Sequence, residues 1–156
     1  MREILFRAKK YEKSVFDETD WVYGSLIDSG NHEQVFIFPW LNGASTMPLR
    51  QLVYARMEAI KPETVCQFTG FYDKNAKQIF EGDIFHFEDD IFAVVVFRDG
   101  GFKLEEYGLR GTWTESGYDE CGGGYDILDC SPIDWYTIIN LEVIGNIYDN
   151  PELIPH

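Results

Sequence analysis

No lysine or arginine follows Arg110 in this chain of 156 residues. Residues 111–156 instead carry nine carboxylates: Glu115, Asp119, Glu120, Asp126, Asp129, Asp134, Glu142, Asp149 and Glu152. All 13 basic residues lie before them, and the formal net charge is −14 with a pI near 4.4. A surface of that sign repels DNA, RNA and anionic lipid, so direct nucleic-acid binding is not expected. Long apolar runs are missing too. None approaches 18 residues, which excludes a helical membrane span as an expectation, and Met1–Arg7 lacks the apolar stretch of a secretory leader. Only three cysteines occur, an odd number. Cys66 lies in an apolar run and reads as a buried thiol. Cys121 and Cys130 have no second pair, so a reducing cytoplasm is expected and a Cys121–Cys130 disulfide is not. The three histidines, His32, His86 and His156, are scattered, which argues against a metal centre. No cofactor motif appears. Gly122-Gly123-Gly124 is not followed by Gly-Lys-Ser/Thr, and Asp119, Glu120 and Asp126 around it would repel phosphate.

What the chain has in abundance is aromatic side chains, at 16%. With 45% hydrophobic residues they can fill a core, and they favour strands over helices. Glu3–Ala8, Trp21–Ile27 and Gln34–Phe38 read as strands, the last two joined by the turn chemistry of Asp28-Ser29-Gly30-Asn31-His32-Glu33. Pro39 ends the third by removing a ladder donor. Leu49–Arg56 fits a two-turn helix or a strand. Met57–Ile60 reads as extended and Lys61-Pro62-Glu63-Thr64 as a turn.

The middle of the chain reads as strand, turn, strand and corner. Val65–Tyr72 and Gln78–Phe80 flank the polar turn Asp73-Lys74-Asn75-Ala76-Lys77. Asn75 is the residue expected there at positive φ, since alanine resists it. Glu81-Gly82-Asp83 forms the corner into Ile84–Phe87, with Asp83 expected to bond backbone N–H groups. Glu88-Asp89-Asp90 is a charged hairpin tip, and Ile91–Phe97 suits a central strand. Arg98-Asp99-Gly100-Gly101 is a strong hairpin signal. Phe102–Tyr107 alternates, with Phe102, Leu104 and Glu106 on one face. Residues 108–132 have no periodicity and read as a long loop, functional or mobile. Ile133–Tyr136 suits a short helical turn, Ile138–Tyr148 a last strand and Pro151 a one-turn cap.

Candidate chemistry is sparse. A calcium loop starting at Asp73 fails at Lys77, Gln78 and Ile84, where an oxygen ligand, a glycine and a glutamate are required. No Gly-x-Ser-x-Gly or Cys-His arrangement is present. Glu81 and Asp83 could in principle form an acid/base pair. Trp113, Tyr118, Asp119, Glu120, Tyr125 and Trp135 combine aromatic rings with acids, the composition of a protein-binding surface.

Three blocks together make the chain resemble the YopX-like family of phage and mobile-element proteins. They are Phe6-Arg7-Ala8 with Trp21-Val22-Tyr23-Gly24, then Lys61-Pro62-Glu63-Thr64-Val65 through Asp83-Ile84, and finally Val143–Leu153. The resemblance implies a mostly β chain with a C-terminal SH3-type β-barrel, residues 61–156, behind a small N-terminal β subdomain, residues 1–60. One or two short helices at most are expected. It also implies a phage, prophage or conjugative-element origin and thus a bacterial host cytoplasm. It supplies no catalytic residue. The family usually has Asn-Gly in the central turn where this chain has Asn75-Ala76, which argues against a two-residue type I′ turn. The expected function is a non-enzymatic accessory module that binds a protein. The alternatives are an acidic nucleic-acid mimic inhibiting a host DNA-binding enzyme, and an enzyme using Glu81 or Asp83.

Overall fold

The computed structural model describes residues 3–13, 15, 17–40, 45–87, 91–109, 112–114, 117–119 and 125–154. For residues 109, 112–114, 117–119, 125 and 126 the backbone alone is described. The chain divides into two compact units, Met1–Phe68 and Thr69–His156. Both are mostly β and antiparallel.

In the first unit, β1 (Phe6–Lys9) lies beside β2 (Trp21–Asp28), which pairs with β3 (Val35–Pro39). The short β4 (Glu58–Ala59) follows on the far side of β3, and the start of β5 (Cys66–Tyr72) pairs with β1. Inward residues of these strands, Ala8, Val22, Val35 and Ile37, pack with Ile60 into one core. Leu49–Arg56 resolves as a helix, α1, in which only Leu52 is buried. The Lys61–Thr64 turn is tied to β1: Lys61 N–H donates to the Lys9 carbonyl at 2.8 Å, and Lys9 N–H to Thr64 Oγ1 at 2.8 Å. Gly24 is dictated by close approach, because a Cβ there would stand 2.0 Å from the Phe38 carbonyl oxygen.

In the second unit β5 folds back as β6 (Gln78–Phe80). A five-stranded sheet follows, in the order β12-β9-β8-β7-β13, from β7 (Asp83–His86), β8 (Phe92–Arg98), β9 (Gly101–Leu109), β12 (Tyr125–Pro132) and β13 (Val143–Asn146). The hairpin of β10 (Thr112–Thr114) and β11 (Gly117–Asp119) is separate. Ile79, Phe85, Ala93, Val95, Leu104, Val143 and Ile138 of α2 (Trp135–Ile138) form the second core. β8 is central, as its apolar run suggests. Asp99 and Gly100, at φ 51° and 79°, make the two-residue turn between β8 and β9.

Three expectations are corrected. Residues 108–132 are not a structureless loop, since Tyr125–Pro132 pairs with β9 over most of its length. The register jumps between Ile127 and Asp129, so Leu128 is an extra residue. Such a bulge erases the period-two pattern by which a strand is read. Gly108 makes room for it: a Cβ there would meet Leu128 Cδ1 at 2.6 Å. The last strand is Val143–Asn146 rather than Ile138–Tyr148, because residues 135–138 are helical and 147–149 turn. In the central hairpin Ala76, not Asn75, has the positive φ, 61°. Ala76 N–H donates to the Asp73 carbonyl at 3.0 Å, closing a four-residue turn whose last member is left-handed. A turn of that form places the strain one residue beyond Asn75. The charged tip 88–90 lies outside the described residues.

Candidate functional site

Two carboxylates adjacent in sequence, Glu105 and Glu106, point to opposite faces of β9, and their fates differ. Glu106 sits opposite Ala93 of β8 and Asp129 of β12. It lines a cleft of ≈ 420 Å³ with Phe87, Ile91, Asn140 and Leu141. Phe87 and Leu141 also pack on the second core, so the cleft opens at its edge. Asn140 comes from the turn after α2, where its Nδ2 donates to the Tyr136 carbonyl at 3.4 Å. Burial raises the Glu106 pKa above its ordinary value, and the Asp129 charge adds to the shift. Among its described lining residues the cleft offers one carboxyl and one carboxamide beside three apolar side chains. It can hold a small amphipathic group by charge and hydrogen bonding.

Glu105 is 2% exposed on the other face. Its Oε1 accepts from the Tyr107 hydroxyl and its Oε2 pairs with the half-exposed Arg98 guanidinium. Burial, followed by the hydrogen bond to Glu105 and that carboxylate's charge, pushes the Tyr107 pKa up to about 12. Alternation alone puts Glu105 on the outward face, and sequence reasoning gave no reason to expect it buried.

Asp83 is fully buried, and its Oδ2 accepts from Phe80 N–H at 2.8 Å, the corner role expected of it. Neither Glu81 nor Asp83 lines the Glu106 cleft. Asp73 does comparable work across a longer range. Its Oδ1 accepts from Asn75 and Lys77 N–H at 2.8 and 2.9 Å, and its Oδ2 from Val143 N–H at 3.1 Å. Burial opposes its charge, but donation from Lys77, Val143 and Asn75 outweighs that and the pKa is lowered. The turn is thereby fastened to β13.

The predicted aromatic and acidic residues fall on several elements. Trp113 and Tyr118 are register partners in the β10–β11 hairpin, and Asp119 pairs with Thr112. Tyr125 opens β12 opposite Leu109. Glu120, Gly122–Gly124 and Cys121 lie outside the described residues. Trp135 is 67% exposed on α2, and the sequence reading passed over Tyr136 beside it, 79% exposed. Asp134 caps that helix by accepting from Thr137 N–H at 2.8 Å. Several tail carboxylates have similar local duties: Glu142 pairs with Lys74 at 2.8 Å and Asp149 accepts from Asn146 Nδ2 at 2.9 Å. His86 is exposed, with its ring 4.9 Å from that of Phe92. Neither Cys66 nor Cys130 is in a disulfide, and the buried Cys66 thiol donates to the Thr64 carbonyl at 3.3 Å. Among the described residues no His, Cys, Asp or Glu group is arranged to hold a metal ion, and no helix is long and apolar enough to cross a membrane.

No curated protein matches the chain. A family model described as YopX protein matches residues 5–155, nearly the whole sequence. The chain therefore belongs to the YopX family.

Proposed function

We propose that this protein is a non-enzymatic accessory module of a phage or other mobile element, working in the bacterial cytoplasm by binding another protein. The observation that carries the reading is the pair Trp135–Tyr136, two large aromatic side chains left exposed on one short helix. Exposed neighbouring aromatics are costly to leave in water and are frequent anchors of interfaces. The nearby cleft supports binding over turnover, because its described lining residues carry a single carboxyl and no nucleophile.

In this reading the second unit is a barrel of SH3 type. Five antiparallel strands, with bulges at Leu128 and between Val143 and Gly145, have the number and the bends that closing such a sheet uses.

The test is affinity capture from host lysate by wild type and by Trp135→Ala/Tyr136→Ala. A partner retained by the first and lost by the second supports the reading, and identical recoveries refute it. Deleting 111–132 is unsuitable, since it removes β12 from the sheet.

A further inference from the structure

The Glu106 cleft suits one kind of occupant. Phe87, Ile91 and Leu141 offer apolar walls, and the Glu106 carboxyl and Asn140 carboxamide supply the polar contacts. Its ≈ 420 Å³ falls within the range of specific small-ligand sites. An aliphatic stem could lie along those walls while its charged head meets the carboxylate, the way long basic side chains divide themselves between apolar and polar surroundings. An anionic occupant would meet two like charges, because Asp129 stands opposite Glu106 on the neighbouring strand. A purely apolar occupant would cover a carboxylate and leave its charge unmatched. A chain of net charge −14 also draws cationic partners from a distance.

We propose that the cleft receives a lysine or arginine side chain of the partner protein, with the aliphatic stem against Phe87, Ile91 and Leu141 and the cation on Glu106. The protein-binding reading supplies the source of that side chain, while the recognition chemistry stands on the cleft alone.

A pH dependence follows. Asp129 is the titratable group facing Glu106 across the β9–β12 pair; Ala93 on β8 and the other described lining residues carry no charge. Burial and Asp129 both favour the protonated form of Glu106. Cation binding needs the ionised form, so affinity falls with pH before an ordinary glutamate would protonate.

The experiment is an NMR titration of the full chain with three capped amino-acid amides: lysine, norleucine and glutamate. The lysine compound should shift the backbone amides of Glu106, Asn140 and Leu141 and bind about tenfold more tightly than norleucine, as a charge-assisted hydrogen bond implies. The glutamate compound should leave them unmoved. The preference for lysine should shrink as pH is lowered from neutral toward about 5, above the pI of about 4.4, and should vanish in Glu106→Gln. Norleucine matching lysine, no shift at any of the three amides, or an undiminished preference in Glu106→Gln would overturn the proposal. If that variant does not fold, the wild-type pH series decides in its place. Loss of the lysine preference alongside a Trp135-dependent partner rejects the cleft and keeps the protein-binding reading. Lysine binding without any such partner refutes the protein source.

Discussion

Replacing Ala76 with glycine should stabilise the second unit. Ala76 has φ 61°, where an L-residue carries a steric cost of about 1–2 kcal/mol. Glycine removes that cost but gives the unfolded chain more freedom, which takes back roughly 0.4–1 kcal/mol. The Ala76 methyl is exposed, so its loss forfeits little burial. The net expectation is a gain of about 0.5–1 kcal/mol, since the hydrogen bonds to Asp73 hold the turn in place with either residue. In urea this is a rise in midpoint of roughly 0.3–0.5 M, for a slope of about 2 kcal/mol/M. Unfolding should be followed at amides of β6 to β9, so that the first unit does not mask the change. Asn75→Gly is the control: Asn75 is not among the residues with positive φ, and flexibility added there should lower stability slightly. An unchanged or lower midpoint for Ala76→Gly, or an equal gain for Asn75→Gly, would refute the assignment of strain to Ala76.

Asp73→Ala should cost about 2–4 kcal/mol in chemical denaturation, because three backbone N–H groups lose their acceptor and one of them holds β13 to the turn. Because the folded pKa of Asp73 is depressed, its stabilisation is fully present above its unfolded value and is lost as pH falls through the folded one; wild type should therefore lose more stability on acidification than Asp73→Asn. Gly24→Ala should destabilise by more than about 2 kcal/mol, since its Cβ cannot coexist with the Phe38 carbonyl at 2.0 Å; thermal melting measures it, and an unchanged Tm would disprove the close approach. Ultraviolet titration of tyrosine should show Tyr107 ionising only near pH 12, and Glu105→Gln should bring that transition down; an unmoved transition would rule out the Glu105 contact as a cause.

Much of the local plan was legible in the sequence. Asp99-Gly100 and Asp73–Lys77 carry the chemistry of tight turns, and a turn forms at each because a hairpin is decided by its own few residues, although in the second the left-handed residue is Ala76 and not the expected Asn75. Asp83 reads as a corner residue because a short carboxylate next to glycine finds backbone donors nearby, and Phe80 N–H provides one. The candidate site was harder to see. Tyr136 and Glu106 are ordinary residues in the sequence. They became candidates through exposure on α2 and enclosure by Phe87, Ile91 and Leu141, which arrive from other elements.

A β-rich chain, its main hairpins, its family and the one-signed charge of its last 46 residues can be read without the fold, because composition and short-range turn chemistry do not depend on what packs where. The tertiary fold settled that Tyr125–Pro132 joins β9 and that Leu128 bulges over Gly108. It also decided that Glu105 is buried in an ion pair while Glu106 lines a cleft. Strand pairing across a long connection and the burial of a charge depend on partners distant in sequence, and a bulge hides even the alternation that would announce the strand.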